Sequence, residues 1–191
     1  MKLIMTCDKN DSNYKVLDYV HSITPKGFCR IPVLKYAYYY AECKELVSTD
    51  LQQLHLVKGF KAKGMKTGLY SIVKKGFSLI LSKVESNEEY PRYKHVIPNW
   101  KKDKSYTTVT VVRGTFTDNI NDNRLYCKII RSMESNSIIL YKYFIDAVKH
   151  IESGARFHVH INTKELAPVV VNAKIGNHNT MSLIMPMMVN N

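Results

Sequence analysis

A chain of 191 residues is long enough for one large domain or two small ones and can bury a core without disulfide or metal staples. Its 45% apolar content excludes wholesale disorder, and no run approaches the roughly 18 apolar residues of a membrane-spanning helix. The formal net charge of +12 is uneven: residues 1–104 hold 19 Lys and Arg against 10 Asp and Glu, residues 105–191 hold 9 against 6, and Leu51 to Val84 contains seven lysines and no acid. Such a field attracts polyanions, nucleic acid first, and an acidic protein second. Abundant Lys, Asn, Ile and Tyr match AT-rich coding sequence, as many viruses and phages have, and many bacteria and protists as well.

In chain order, Met1–Asp8 reads as a first strand, with too short an apolar run for a signal peptide, so a cytoplasmic protein is expected (host cytoplasm or nucleus if viral). Val16, Leu17, Val20 and Ile23 predict a short helix over Tyr14–Ile23, broken by Thr24-Pro25-Lys26-Gly27. Pro32 suits the first turn of a second helix running to about Val47. Ser48-Thr49-Asp50 offers capping oxygens for a third, Leu51–Val57, ended by Gly59. After a lysine-rich turn, Met65–Lys75 reads as a fourth, stopped by Gly76. Phe77–Glu85 and Arg92–Ile97 then read as a β-hairpin.

Pro98–Lys104 holds the only tryptophan, Trp100, and reads as an exposed loop, with residues 99–104 as a linker. Beyond it come a strand Tyr106–Thr117, a turn Asp118–Asn123 and a returning strand Arg124–Arg131. A helix capped by Ser137 follows, with Ile138, Tyr141, Phe144, Ile145, Val148 and Ile151 inward and Gly154 at its end. Arg156–Ile161, Val169–Val171 and Met181–Val189 read as strands. No internal repeat is visible. The fold class expected is α+β: a helical N-terminal domain with a β-hairpin wing (residues 1–98) and a C-terminal domain of strands on one helix (105–191).

Leu69-Tyr70-Ser71-Ile72-Val73-Lys74-Lys75-Gly76-Phe77, then Ile80–Glu85 and Arg92–Ile97, resembles a winged helix-turn-helix, in which a recognition helix ends in basic residues and a glycine just before a hairpin. The resemblance covers residues 50–97. It implies that Lys66, Thr67, Tyr70, Ser71, Lys74 and Lys75 belong to a DNA-reading helix, that Lys61 and Lys63 hold phosphates, and that Arg92 and Lys94 lie on the wing.

Cys7, Cys29, Cys43 and Cys127 are widely spaced, without a C-x-x-C pair, and read as buried reduced thiols. Tyr36, Tyr38, Tyr39 and Tyr40 read as tyrosines with hydroxyls at the rim of a core. His158 and His160 share one strand face. They could chelate zinc with His150 or His178, but a wet strand face explains them equally well, so no metal is expected. His160-Ile161-Asn162 lacks the second copy and hydroxyl of a paired-histidine phosphoesterase. Residues 106–174 are similar in order to a ribonuclease H-like core, yet Asn162 stands where an aspartate is expected. Asp118, Asp122, Glu134, Asp146, Glu152 and Glu165 do not gather as two-metal chemistry requires.

The sequence therefore points to a non-enzymatic, cofactor-free nucleic-acid-binding protein, duplex DNA favoured, acting as a transcription or replication accessory factor. Its second half would offer a contact to a protein partner. The alternatives are a small basic inhibitor or adaptor docking on an acidic protein, and a metal-dependent nuclease.

Overall fold

A computed structural model describes residues 1–114, 127, 129, 131, 137–164 and 166–188. The elements are β1 (Lys2–Asp8), α1 (Ser12–His21), a 3-10 turn (Pro32–Lys35), β2 (Ala37–Tyr40), β3 (Glu45–Thr49), β4 (Gln53–Lys58), β5 (Gly68–Lys75) and β6 (Ser78–Lys83). A connector containing a second 3-10 turn (Tyr93–Val96) leads to β7 (Tyr106–Val112), β8 (Ser137–Ile138), α2 (Tyr141–Val148), β9 (Arg156–Asn162), β10 (Val169–Ile175), β11 (His178–Ile184) and β12 (Met187–Met188). Ten strands form one sheet in the order β1-β6-β5-β2-β3-β4-β11-β10-β9-β7, every neighbouring pair antiparallel. The sequence α1-β2-β3-β4 is repeated in order by α2-β9-β10-β11, and the two series meet where β4 pairs with β11, Lys58 opposite Asn179 through Gln53 opposite Ile184. This duplication of topology has no counterpart in the residues themselves.

The helical N-terminal domain, and with it the winged helix, is overturned. The expected helix over 32–47 keeps only the Pro32–Lys35 turn, and the rest is the β2–β3 hairpin, Tyr38 opposite Val47. Leu51–Val57 is instead β4, five of whose six residues are buried. A sheet covered on both faces gives continuous apolar runs, which periodicity cannot separate from a buried helix. The capping oxygens were real but serve a turn. Asp50 Oδ1 accepts from the N–H groups of Gln52 (2.9 Å) and Gln53 (2.8 Å), and Leu51 sits at φ 75° between β3 and β4. Met65–Lys75, the expected recognition helix, is β5. It pairs with β6 through a two-residue turn, Lys75 opposite Ser78, in which Gly76 takes φ +59°. Arg92–Ile97 is no strand: it belongs to the connector.

Other elements lie close to expectation. α1 begins at an Asp11 N-cap whose side chain accepts from Asn13 N–H (2.7 Å). α2 is shorter than expected because Ser137 and Ile138 are drawn into β8, paired with β12. The 118–123 turn, most of residues 124–131, the end of the 106–117 strand, Glu134 and Glu165 lie outside the described residues; the described residues of the expected 124–131 strand, Cys127, Ile129 and Arg131, are helical, not extended. Of the four thiols, Cys7 alone is buried; Cys29 is half-buried and Cys43 and Cys127 are exposed. Burial, with Asp11 and Asp8 nearby, pushes the Cys7 thiol up to about 11.

Helices α1 and α2 lie on one face of the sheet. Tyr14, Val16, Leu17, Tyr19 and Val20 of α1 pack on Leu46, Val57, Tyr70, Ile72, Leu79 and Leu81, while Phe144, Ala147 and Val148 of α2 pack on Phe157, Val159, Ile161, Val169 and Val171. On the opposite face the connector covers Val47, Leu54, Leu56, Val170, Met181 and Leu183 with Tyr90, Tyr93, Ile97 and Trp100. The expected linker 99–104 is part of this strap. Where the halves meet on the helix side, the His55 ring stacks on Tyr19 (centroids 4.1 Å apart), its Nδ1–H donates to the Tyr19 carbonyl (2.8 Å), and the Tyr19 hydroxyl meets Ser182 Oγ (2.7 Å).

His55 is fully buried and held neutral, its pKa pushed down to about 3 by desolvation; His150, mostly buried against Tyr19, is lowered to about 4 for the same reason. An unfolded histidine titrates near 6.5. Between about pH 6.5 and 4 the unfolded chain therefore binds protons that the folded chain does not, so stability is full above 6.5 and declines as pH falls, by up to about 1.4 kcal/mol per unit for each group. Thermal unfolding followed from pH 7.5 to 4.5 will show a falling Tm. His55→Phe, which keeps the ring stack and removes the titration, will reduce that pH slope.

Candidate nucleic-acid interface

Two faces are open to a polyanion. On the helix face, Lys15 of α1 and Lys142 of α2 are exposed, and Lys26, Lys74 of β5 and Lys149 border a common hollow. A concavity of about 440 Å³ lies among Asp18, His21, Lys26, Lys74, Lys149 and His150. Much of the charge here is matched. Lys15 pairs with Glu152 (2.8 Å), Lys149 with Asp146 (2.6 Å) and Lys74 with Asp18 (3.9 Å). His150 Nδ1 lies 3.8 Å from Asp18, but burial keeps it neutral at pH 7; His21 is also lowered, by burial and then by Lys26.

The strand face is different. Alternation in β9 sends Phe157, Val159 and Ile161 toward α2 and leaves Arg156, His158 and His160 on the other side, as the sequence pattern predicts. β7, β10, β11 and β4 add Thr108, Asn172, Lys174, Asn179 and Lys58, and the connector rises beside them with Trp100, Lys101, Lys102 and Lys104. The result is a groove of about 890 Å³. Its floor is ordered by side-chain contacts: Thr108 Oγ1 to His160 Nδ1 (2.8 Å), Thr110 Oγ1 to His158 Nδ1 (3.0 Å), and Asn172 Nδ2 donating to His160 Nε2 (2.9 Å). The indole of Trp100 lies 5.6 Å from the His160 ring. Burial, then His158 and Lys101, lower the His160 pKa, so it is a neutral hydrogen-bonding group at pH 7. Both ring nitrogens of His160 are engaged. Among the described residues no group of three or more His, Cys, Asp or Glu is placed to hold a metal ion.

The residues expected to bind DNA are dispersed. Lys61, Lys63 and Lys66 are exposed on the β4–β5 loop. Thr67 Oγ1 accepts from Ala41 N–H (3.0 Å) and fixes that loop to β2. Tyr70 is core, its hydroxyl donating to the Lys66 carbonyl (2.6 Å) and accepting from the Lys66 N–H (2.9 Å). Ser71 is half-buried in β5, Lys74 is on the helix face, and Lys75 is exposed beside the β5–β6 turn. Arg92 is exposed on the connector, while Lys94 sits 4.1 Å over the Tyr40 ring and 3.9 Å from Glu45. Asp146 and Glu152, the described carboxylates weighed for nuclease chemistry, pair with different lysines. The strand-face groove was missed as a unit: its cations come from four segments, and only Lys101, Lys102 and Lys104 are neighbours in sequence.

The arrangement of paired helices backed by a continuous sheet has solved counterparts. Over 99% of its length the chain superposes on the Helicobacter pylori beta clamp, at a TM-score of 0.60 and 11% identity. The fold resembles a sliding clamp. DNA polymerase III beta chain from Streptococcus pneumoniae (TM-score 0.62, 13% identity, 99% of this chain) and DNA polymerase III subunit beta from Borrelia burgdorferi (0.62, 15%, 100%) give the same result. The chain spans about two thirds of these subunits, 67%, 65% and 65% of their lengths respectively. No protein-family model matches the sequence, and no curated protein does. The clamp likeness replaces the winged-helix resemblance: a mostly-sheet fold stands where a recognition helix was expected.

Tyr70 links the core to the lysine-bearing loop through both polar groups of Lys66. Tyr70→Phe keeps the ring and removes both bonds, and is expected to destabilise the fold by about 1 kcal/mol. Denaturant unfolding will measure that loss, and hydrogen exchange will show faster opening at residues 61–67 than in β4.

Proposed function

We propose that this protein is a clamp-type accessory factor of DNA replication, a non-catalytic protein that associates with duplex DNA and with a replication protein. The observation that carries the reading is the superposition of nearly the whole chain on DNA polymerase sliding clamps, joined to a net charge of +12. Duplex DNA lies along the helix face in this reading, over Lys15, Lys26, Lys74, Lys142 and Lys149. The ion pairs there do not forbid it, because pairs such as Lys15–Glu152, with both side chains about half exposed, contribute little and exchange readily for phosphate. Of the residues expected from sequence, Lys74 belongs to this surface. Lys61, Lys63, Lys66, Lys75, Arg92 and Lys94 add to the long-range field that steers a polyanion inward.

The protein partner docks at the connector. Leu54, Leu183, Met185, Tyr93 and Val96 surround an apolar pocket of about 110 Å³, with Leu51 and Val96 about half exposed at its mouth. A pocket of that size takes one apolar side chain of a partner segment.

Fluorescence anisotropy with a labelled duplex at several salt concentrations tests the DNA reading. The wild type is expected to bind with an affinity that falls steeply with salt. Lys26→Glu/Lys142→Glu is expected to weaken binding at least tenfold and to lower the log–log salt slope by about 2. Absence of duplex binding at low salt sinks the proposal.

A further inference from the structure

The helix face offers matched charge; the face behind it does not. Lys58, Lys101, Lys102, Lys104, Arg156 and Lys174 surround the strand-face groove, and among the described residues Asp103 is its one acid. Among the described residues no carboxylate lies within ion-pair distance of any of the six. Asp103 itself is occupied locally, accepting from the Ser105 N–H at 2.8 Å. Like charges gathered without partners repel one another, so the groove stores electrostatic energy that an anion releases.

The rest of the lining narrows the anion. Trp100 is half-buried against His160 and lines the groove beside the lysines, so an aromatic surface stands next to phosphate-binding cations. The floor is polar: His158, Asn172, Asn179 and Thr108 are hydrogen-bonding groups at the depth where base edges would come to rest. The volume of about 890 Å³ is far more than an inorganic phosphate needs. A duplex keeps its base faces stacked inside and offers none to an indole. A single strand offers phosphates to the rim, a base face to Trp100 and base edges to the floor. An acidic peptide would use the cations and leave the aromatic and the amide floor without a role.

We propose that this groove is a binding site for single-stranded nucleic acid, separate from the helix face. The assignment rests on charge, shape and lining, and does not depend on the clamp reading.

Trp100 is the only tryptophan, so its intrinsic fluorescence reports on this site alone. Oligothymidylate and oligouridylate titrated into the intact protein are expected to quench it. Lys101→Glu/Lys174→Glu, two exposed positions lining the groove, is expected to weaken single-strand binding by about tenfold or more. Duplex affinity of the same variant is expected to stay within about twofold, whereas the helix-face variant Lys26→Glu/Lys142→Glu will show the reverse pattern. Circular dichroism and Tm of the groove variant should match the wild type, since neither lysine is buried. Single-strand binding that leaves Trp100 fluorescence unchanged, or that ignores the groove variant, overturns the proposal. So does the absence of single-strand binding at low salt. Tighter binding of polyglutamate than of either oligonucleotide also overturns it and makes the groove a protein-docking surface. Failure of duplex binding alone would remove the helix-face reading and leave this one standing.

Discussion

The antiparallel pairing of β4 with β11 is the contact on which the rest of the molecule depends. Each strand would otherwise be a sheet edge with a row of unsatisfied backbone groups. Joined in register from Gln53–Ile184 to Lys58–Asn179, they turn two series of strands into one sheet. The same junction brings α1 beside α2, close enough for Lys15 to reach Glu152 and for Tyr19 to meet the His150 ring edge-on. Its two faces are finished differently. On the helix side lies a hydrogen-bonded polar cluster of His55, Tyr19 and Ser182; on the other lies an apolar patch, Leu54, Leu56, Met181 and Leu183, sealed by the connector.

The excess charge has an architecture too. Carboxylates on the helices answer many of the lysines around them, so that surface is held in balance until phosphate displaces them. The strands on the far side carry hydroxyls, amides, imidazoles and cations but almost no acid, and the part of the connector above them ends in the lysines Lys101, Lys102 and Lys104. One sheet therefore separates two kinds of basic surface, one exchangeable and one uncompensated.

What the sequence reveals depends on how many neighbours an element has. β1, α1 and β9 are legible because each has one apolar and one wetter side, and the inward triad of β9 (Phe157, Val159, Ile161) leaves His158 and His160 outward as its alternation requires. β4 is misread because the sheet is covered on both sides there, and β5 because only its first half, through Ile72, is buried. Gln-Leu-His-Leu-Val-Lys has no wet face to reveal a period of two, and Asp50 and Gly59 fit a helix boundary as well as a hairpin. The basic character of residues 51–84 is visible in composition. Its distribution is not, since Tyr70 turns inward, Lys74 goes to one face and Arg92 to the other. The groove needs Lys58, Arg156 and Lys174 brought beside Lys101, and only the pairing of distant strands does that.

The β4–β11 junction also carries a temporal consequence. β4 is complete at Lys58, but the strand that covers its open edge does not begin until His178. A nascent chain therefore emerges with β1 to β6 able to pair among themselves while β4 remains a bare, largely apolar template until His178 has been added. Closure by β11 makes the central seam a late contact, one of high sequence separation and slow formation. Until then Leu54, Leu56 and the backbone of β4 can pair with any other extended segment, including the same strand of a neighbouring nascent chain. The buried histidine cluster that marks the seam thus sits at the point where folding of this chain is most easily diverted.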